Sequence, residues 1–301
     1  MHAANETCAF QHKRVYDDHT KPLEQYTTEE LYARFQFGNA DIKPIADLVR
    51  PKLQCRTRRN QSLAMEEQVL IALCFCASQS FHRLGDRVGI SQLSISRALP
   101  RVVNWINLLA TQCLKFPYTA EEQVPVKRGF HCIAGLPNTI GATDCTHVCI
   151  KAPSPDLFTY LNRKQYHSIN VRLICDSQNH LLYVDSHFPG GAHDSFSLQN
   201  SSVGMHRGYA LAPWLIILLT NPQTRQEVSF NQKHARTRST VKHTIGILKG
   251  RWMCLDTAGC KLLYKPEKVC RIIRACCILH NIAMKCGVPL PPKPQERGCA
   301  S

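Results

Sequence analysis

The chain has 301 residues, 44% hydrophobic and 20% charged, which is globular in composition and excludes wholesale disorder. Its net charge of +15 predicts an anionic partner, with nucleic acid the commonest; a solvated basic surface is the competing reading. The apolar run Leu211–Leu219 is too short to span a bilayer and contains Pro213, so a membrane role is set aside.

Residues 1–60 are mixed and polar, with a helix expected from Thr28 to Phe37 and Thr27 or Thr28 as its cap. Arg50, Lys52, Arg56, Arg58 and Arg59 form either a nuclear import patch or an ordinary solvated run. Residues 61–117 are predicted to be a small all-α unit. Met65 to Ala77 reads as one helix, and Phe81 to Val102 has the layout of a helix-turn-helix. In that layout Gly89 makes the turn, Ser91 caps the second helix, and Ile95 and Leu99 point inward. Gln92, Ser94 and Arg97 then face outward as candidate DNA contacts, although an ordinary helix pair would look the same. Residues 118–138, rich in proline and charge, are expected to be a linker.

From 139 to 291 the texture is that of an α/β unit. Three consecutive strands are expected to end near Phe188, with a polar turn at Asp176–His180. Two helices should follow: one after Asn231, with Val241, Ile245, Leu248 and Trp252 on one face, and an almost wholly apolar one from Cys270 to Met284. His280 and Asn281 on the latter are expected to be satisfied core residues. Residues 292–301 form a tail.

Asp144 closes the run NTIGATD at the expected end of the first strand, and Asp194 follows a Pro-Gly-Gly turn after the third. Carboxylates on neighbouring elements suit divalent ions that clamp a phosphodiester, although a lone aspartate at a strand end is more often a cap. Asp176 and Asp185 are nearby alternatives, and His147 and Lys151 flank Asp144 where phosphate would approach or where a strand face is simply solvated. Sixteen cysteines without a CxxC pair predict reduced, buried thiols rather than structural zinc. From Ser201 to Ser301 there are 16 Lys and Arg against 4 Asp and Glu, so the positive field concentrates there, with Arg238, Lys249 and Arg251 as further candidate DNA contacts.

The segments GATDCTHVCIKAP, YLNRKQYHSINVRLICD, HFPGGAHDSFSLQNSS, FNQKHARTRSTVKHTIGILKGRW and YKPEKVCRIIRACCILHNIA occur in an order that resembles the Harbinger (PIF/Harbinger) DDE transposases, from about Leu63 to Pro291. The resemblance implies an RNase H-like nuclease domain with a mixed sheet flanked by helices. It also implies a divalent cation (Mg²⁺ or Mn²⁺), phosphodiester hydrolysis of DNA, a location in nucleus and cytoplasm, and a separate Myb-like DNA-binding partner. Carried over, Asp144 and Asp194 are catalytic and metal-binding positions. Two departures stand out. Lys242 occupies the family's late-helix glutamate, putting a cation where a metal ligand belongs. Only Val203–Arg207 join two segments between which the family carries a strand with its second aspartate, so one strand is expected to be missing. The readings are therefore a metal-dependent nuclease, an impaired DNA- or partner-binding protein on the same scaffold, or a copy without a stable fold.

Overall fold

The computed structural model describes residues 26–53, 64–78, 92–154, 157–192, 216, 218–257 and 261–290, with backbone only at 49–53, 78 and 92. Helix α1 (Thr28–Phe35) starts where expected: Thr27 accepts from the Glu30 N–H while Glu30 reaches back to the Thr27 N–H. Helices α2 (Asn39–Leu53), α3 (Met65–Ser78), α4 (Gln92–Leu108) and the short α5 (Ala110–Cys113) complete the N-terminal layer. On α4, Ile95 and Leu99 are buried, as their spacing requires. The first helix and turn of the expected helix-turn-helix, with Ser91, lie outside the described residues.

The segment read as a linker holds α6 (Ala120–Ala134), packed on the late helix. Thr119 and Glu122 form another reciprocal cap, and Gly135 ends the helix at φ 66°. Pro125 sits inside it, and Phe130 is fully buried. The proline and charge that suggested a linker belong to an amphipathic helix with clear start and stop signals.

Strands β1 (Ala142–Cys149), β2 (Ser168–Cys175) and β3 (Leu181–Pro189) form an antiparallel sheet in the order β1-β2-β3. Asp176 shapes the β2–β3 turn by accepting from the Gln178 and His180 N–H groups. A mixed sheet was expected. Among the described residues all strand pairing is antiparallel, and the one parallel contact is an isolated bridge between Ile150 and Leu262. After β3 the backbone of Gly190 presses on the 159–168 loop. A Cβ there would fall 2.6 Å from the Tyr160 carbonyl, so this turn requires glycine.

Helix α7 (Arg225–Arg251) crosses β1 and β2, and α8 (Pro266–Lys285) packs on β3 and α4. Asn281 of α8 accepts from the Leu181 N–H and donates to the Leu181 and Cys113 carbonyls, tying the sheet to both helical layers. The start of α7 lies six residues before Asn231 because Thr224 and Glu227 cap it reciprocally, whereas its buried stripe begins only at Thr237. Thr224→Ala should cost about 1 kcal/mol and fray the first turn, measured by urea unfolding and amide exchange of residues 225–230.

Candidate active site

Asp144 is the third residue of β1, not its last, so its carboxylate stands over the sheet face instead of its end. The register places Asp144 beside Leu173 and Val184, whereas Cys145 stands beside Arg172 and Asp185. Adjacent residues of a strand point to opposite faces, so Asp144 and Asp185 do not converge. Asp185 is engaged elsewhere: it accepts from Tyr183 and pairs with His187 at 3.0 Å. Burial works to raise the Asp185 pKa, but the bonds from His187 and Tyr183 outweigh it and hold the carboxyl below its ordinary range. The same contact raises His187. Asp176 is committed to its turn.

Helix α7 lies over the face that carries Asp144. Nη2 of Arg238 donates to Asp144 Oδ1 at 3.2 Å, and the Cys145 N–H donates to the same oxygen at 3.0 Å. Lys242 follows Arg238 by four residues and is exposed, so the same helix face presents a second cation. His234, four residues earlier, donates through Nε2 to the Ile216 carbonyl. Between Arg225 and Arg251 there are seven Lys and Arg against one Glu, and Lys233, Arg236, Arg238 and Lys242 are all exposed.

The other predicted DNA contacts divide. Arg97 is exposed on α4 and Ser94 is half-buried, while the Gln92 side chain lies outside the described residues. Lys249 is half-buried and donates to the His147 carbonyl at 3.0 Å; burial lowers its pKa. Arg251 corrects the expectation: it is fully buried, donates to the Val288 and Pro289 carbonyls, and cannot meet a phosphate on the surface. Its place in the 3–4 spacing of the buried stripe of α7 was the available signal. Asp194 lies outside the described residues.

Among the described residues, Asp144 and its neighbours do not by themselves fit a divalent-metal centre. One carboxylate oxygen of Asp144 already takes a guanidinium and a backbone N–H, and Lys242 adds repulsion. Among the described residues, the cluster of three or more potential ligand atoms is Cys76, Cys254 and Cys276, and it does not include Asp144.

Residues 143–281 match the model of the DDE superfamily endonucleases, so Asp144 is the second residue of the matched stretch. The chain is 36% identical over 287 residues to the Homo sapiens protein named "Putative nuclease HARBI1", covering 90% of this chain and 82% of the relative. The Xenopus laevis protein of that name is 34% identical over 278 residues, covering 87% and 80%. The chain belongs to the Harbinger transposase-derived nuclease family. The Arabidopsis thaliana "Protein ALP1-like" is a more distant relative, 26% identical over 305 residues, covering 90% and 73%. No solved structure matches the chain. Members of the DDE superfamily usually use divalent metals, and in this chain the first aspartate is paired with Arg238, with Lys242 one turn further along α7. The sequence shows His234, Arg238 and Lys242 on one helix face, but not that this face closes on Asp144.

Proposed function

We propose that the chain is a DNA-binding member of the nuclease family in which phosphodiester cleavage is suppressed at the acidic centre. The observation that carries this reading is the ion pair between Arg238 and Asp144, with Lys242 one turn further along α7. A guanidinium beside the first acid supplies positive charge where the family places a metal, and it can meet a phosphate without activating water. Lys242 extends the exposed surface of Arg238 along α7, while target choice rests with a Myb-like partner protein. Metal-dependent hydrolysis by Asp144 and Asp194 is the competing reading, favoured by the family.

Purified chain incubated with supercoiled DNA and Mg²⁺ or Mn²⁺ should nick no faster than Asp144→Ala. Binding should persist, with a slope of log affinity against log salt of about −3 to −4 if roughly four phosphates are neutralised. Lys242→Ala should flatten that slope by about one. Nicking by the native chain that disappears in Asp144→Ala would sink the proposal. A flat salt response would remove the phosphate contacts.

A further inference from the structure

Three thiols at the junction of the N-terminal helices and the nuclease domain form a site separate from Asp144. Cys76 comes from the last turns of α3, Cys254 from the 3-10 turn Met253–Leu255 after α7, and Cys276 from the middle of α8. None is more than 1% exposed. Their sulfur atoms all lie within 4.8 Å of one another, and Cys254 Sγ is 3.8 Å from Cys276 Sγ. Metal–thiolate bonds of about 2.3 Å place sulfurs roughly 3.8–4.0 Å apart, so the closest pair already has that span and the widest need contract by only about 1 Å. A disulfide would require the closest pair to approach to about 2.05 Å.

Packing alone would explain three small buried side chains. Charge argues for more. Arg251 lies three residues before Cys254 and is fully buried, with Nε and Nη1 lacking a hydrogen-bond partner among the described residues. Burial pushes its pKa down to about 10. Its charge reaches His280, one turn along α8 from Cys276. A guanidinium held in a core without a counter-ion among the described residues is costly, and a net negative centre in the same core would offset part of that cost.

We propose that Cys76, Cys254 and Cys276 form a buried thiolate site for one thiophilic cation, Zn²⁺ or Cu⁺. Zn²⁺ displaces three thiol protons to solvent and leaves a charge of −1. Cu⁺ displaces two and leaves the same charge, the third sulfur remaining a neutral thiol ligand. Soft sulfur donors favour these ions over Mg²⁺, and among the described residues no fourth donor joins the cluster. The bound ion would clamp α3, the 3-10 turn and α8 together. Because the cluster is closed to solvent, loading accompanies folding.

The test uses the full chain, refolded with Zn²⁺ in one arm and with Cu⁺ under reducing conditions in the other, then desalted and assayed for metal. About one equivalent should remain in at least one arm, and affinity should rise with pH as the displaced protons require. Cys76→Ala and Cys76→Val each remove the sulfur, one leaving a small cavity and the other filling it. Whichever gives a cooperative melt should retain less than about a tenth of the native metal and show no metal-dependent rise in Tm. Cys132→Ser, at an exposed cysteine outside the cluster, should bind as the native chain does. The proposal is overturned by a folded chain that retains no metal in either arm. Equal retention in native and Cys76 variants, or a mass lower by two hydrogens from a Cys254–Cys276 disulfide, would also overturn it.

Discussion

A chain carrying both Arg238→Ala and Lys242→Glu should bind Mn²⁺ at Asp144 at least about a hundredfold more tightly than the native chain. The first change removes a cation that touches the carboxylate at 3.2 Å. The second turns a cation into a carboxylate at the position where the family carries its glutamate. Together they lower the local charge by three units. Even with the screening of bulk water, one unit charge about 6 Å from a divalent ion is worth about 1.4 kcal/mol, or tenfold in affinity. Salt weakens this, so a hundredfold gain is a conservative expectation. The fold should survive, because Arg238 is half-exposed and such pairs contribute little to stability, while alanine and glutamate are both good helix formers. Paramagnetic broadening of the Cys145 amide during a Mn²⁺ titration reads the site directly, since that N–H donates to Asp144. Equal broadening in native and double variant would show that the cations do not exclude metal. Broadening that persists when Asp144→Ala is added would place the ion elsewhere. Nicking is not expected to return with the metal, on the reading that Val203–Arg207 stand where the family carries a strand with its second aspartate.

Local signals carried much of the fold. The cap at Thr27, the turn at Asp176–His180 and the inward positions Ile95, Leu99, Val241 and Leu248 are set by neighbours within a few residues, and the structure has them where the pattern puts them. Helix α6 was hidden by Pro125 and its charges, although Thr119 and Glu122 carry its start signal. The long-range chemistry was harder to read. Arg238 meets Asp144 across 94 residues of sequence, and Cys276 meets Cys76 across 200. Spacing along a helix tells which side chains share a face, but the identity of the facing surface comes only from packing. Arg251 shows the cost of ignoring that distinction. Its type suggested DNA, while its place in the buried stripe assigned it to the core.

That core makes acid stability depend on one imidazole. His280 is fully buried, and its Nε2 donates to the Asn179 carbonyl at 2.9 Å. Its Nδ1 is buried without a partner among the described residues, so a proton there would create both a charge and an unsatisfied donor. Burial is the main cause that pushes its pKa to about 4 from 6.5; Arg251 and His180 add repulsion, while the Asn179 carbonyl and Asp176 oppose the shift. Above about pH 6.5 the ring is neutral in folded and unfolded chains and contributes no pH dependence. Between there and about pH 4 the unfolded chain binds a proton that the folded chain refuses, so stability falls as pH drops. The total loss is about 3 kcal/mol, from about 1.4 kcal/mol per pKa unit. The His187–Asp185 pair acts with the opposite sign over part of this range. The raised pKa of His187 gives stability that is present below its unfolded value and lost as pH rises through the folded one. The contribution of His280 is therefore read as a difference from His280→Gln, which keeps a donor for the Asn179 carbonyl but does not titrate. Urea unfolding at several pH values from about 7.5 to 4 should show the native chain losing about 3 kcal/mol more than the variant over that range. Parallel pH curves for the two proteins would mean that the imidazole takes up its proton within the folded core.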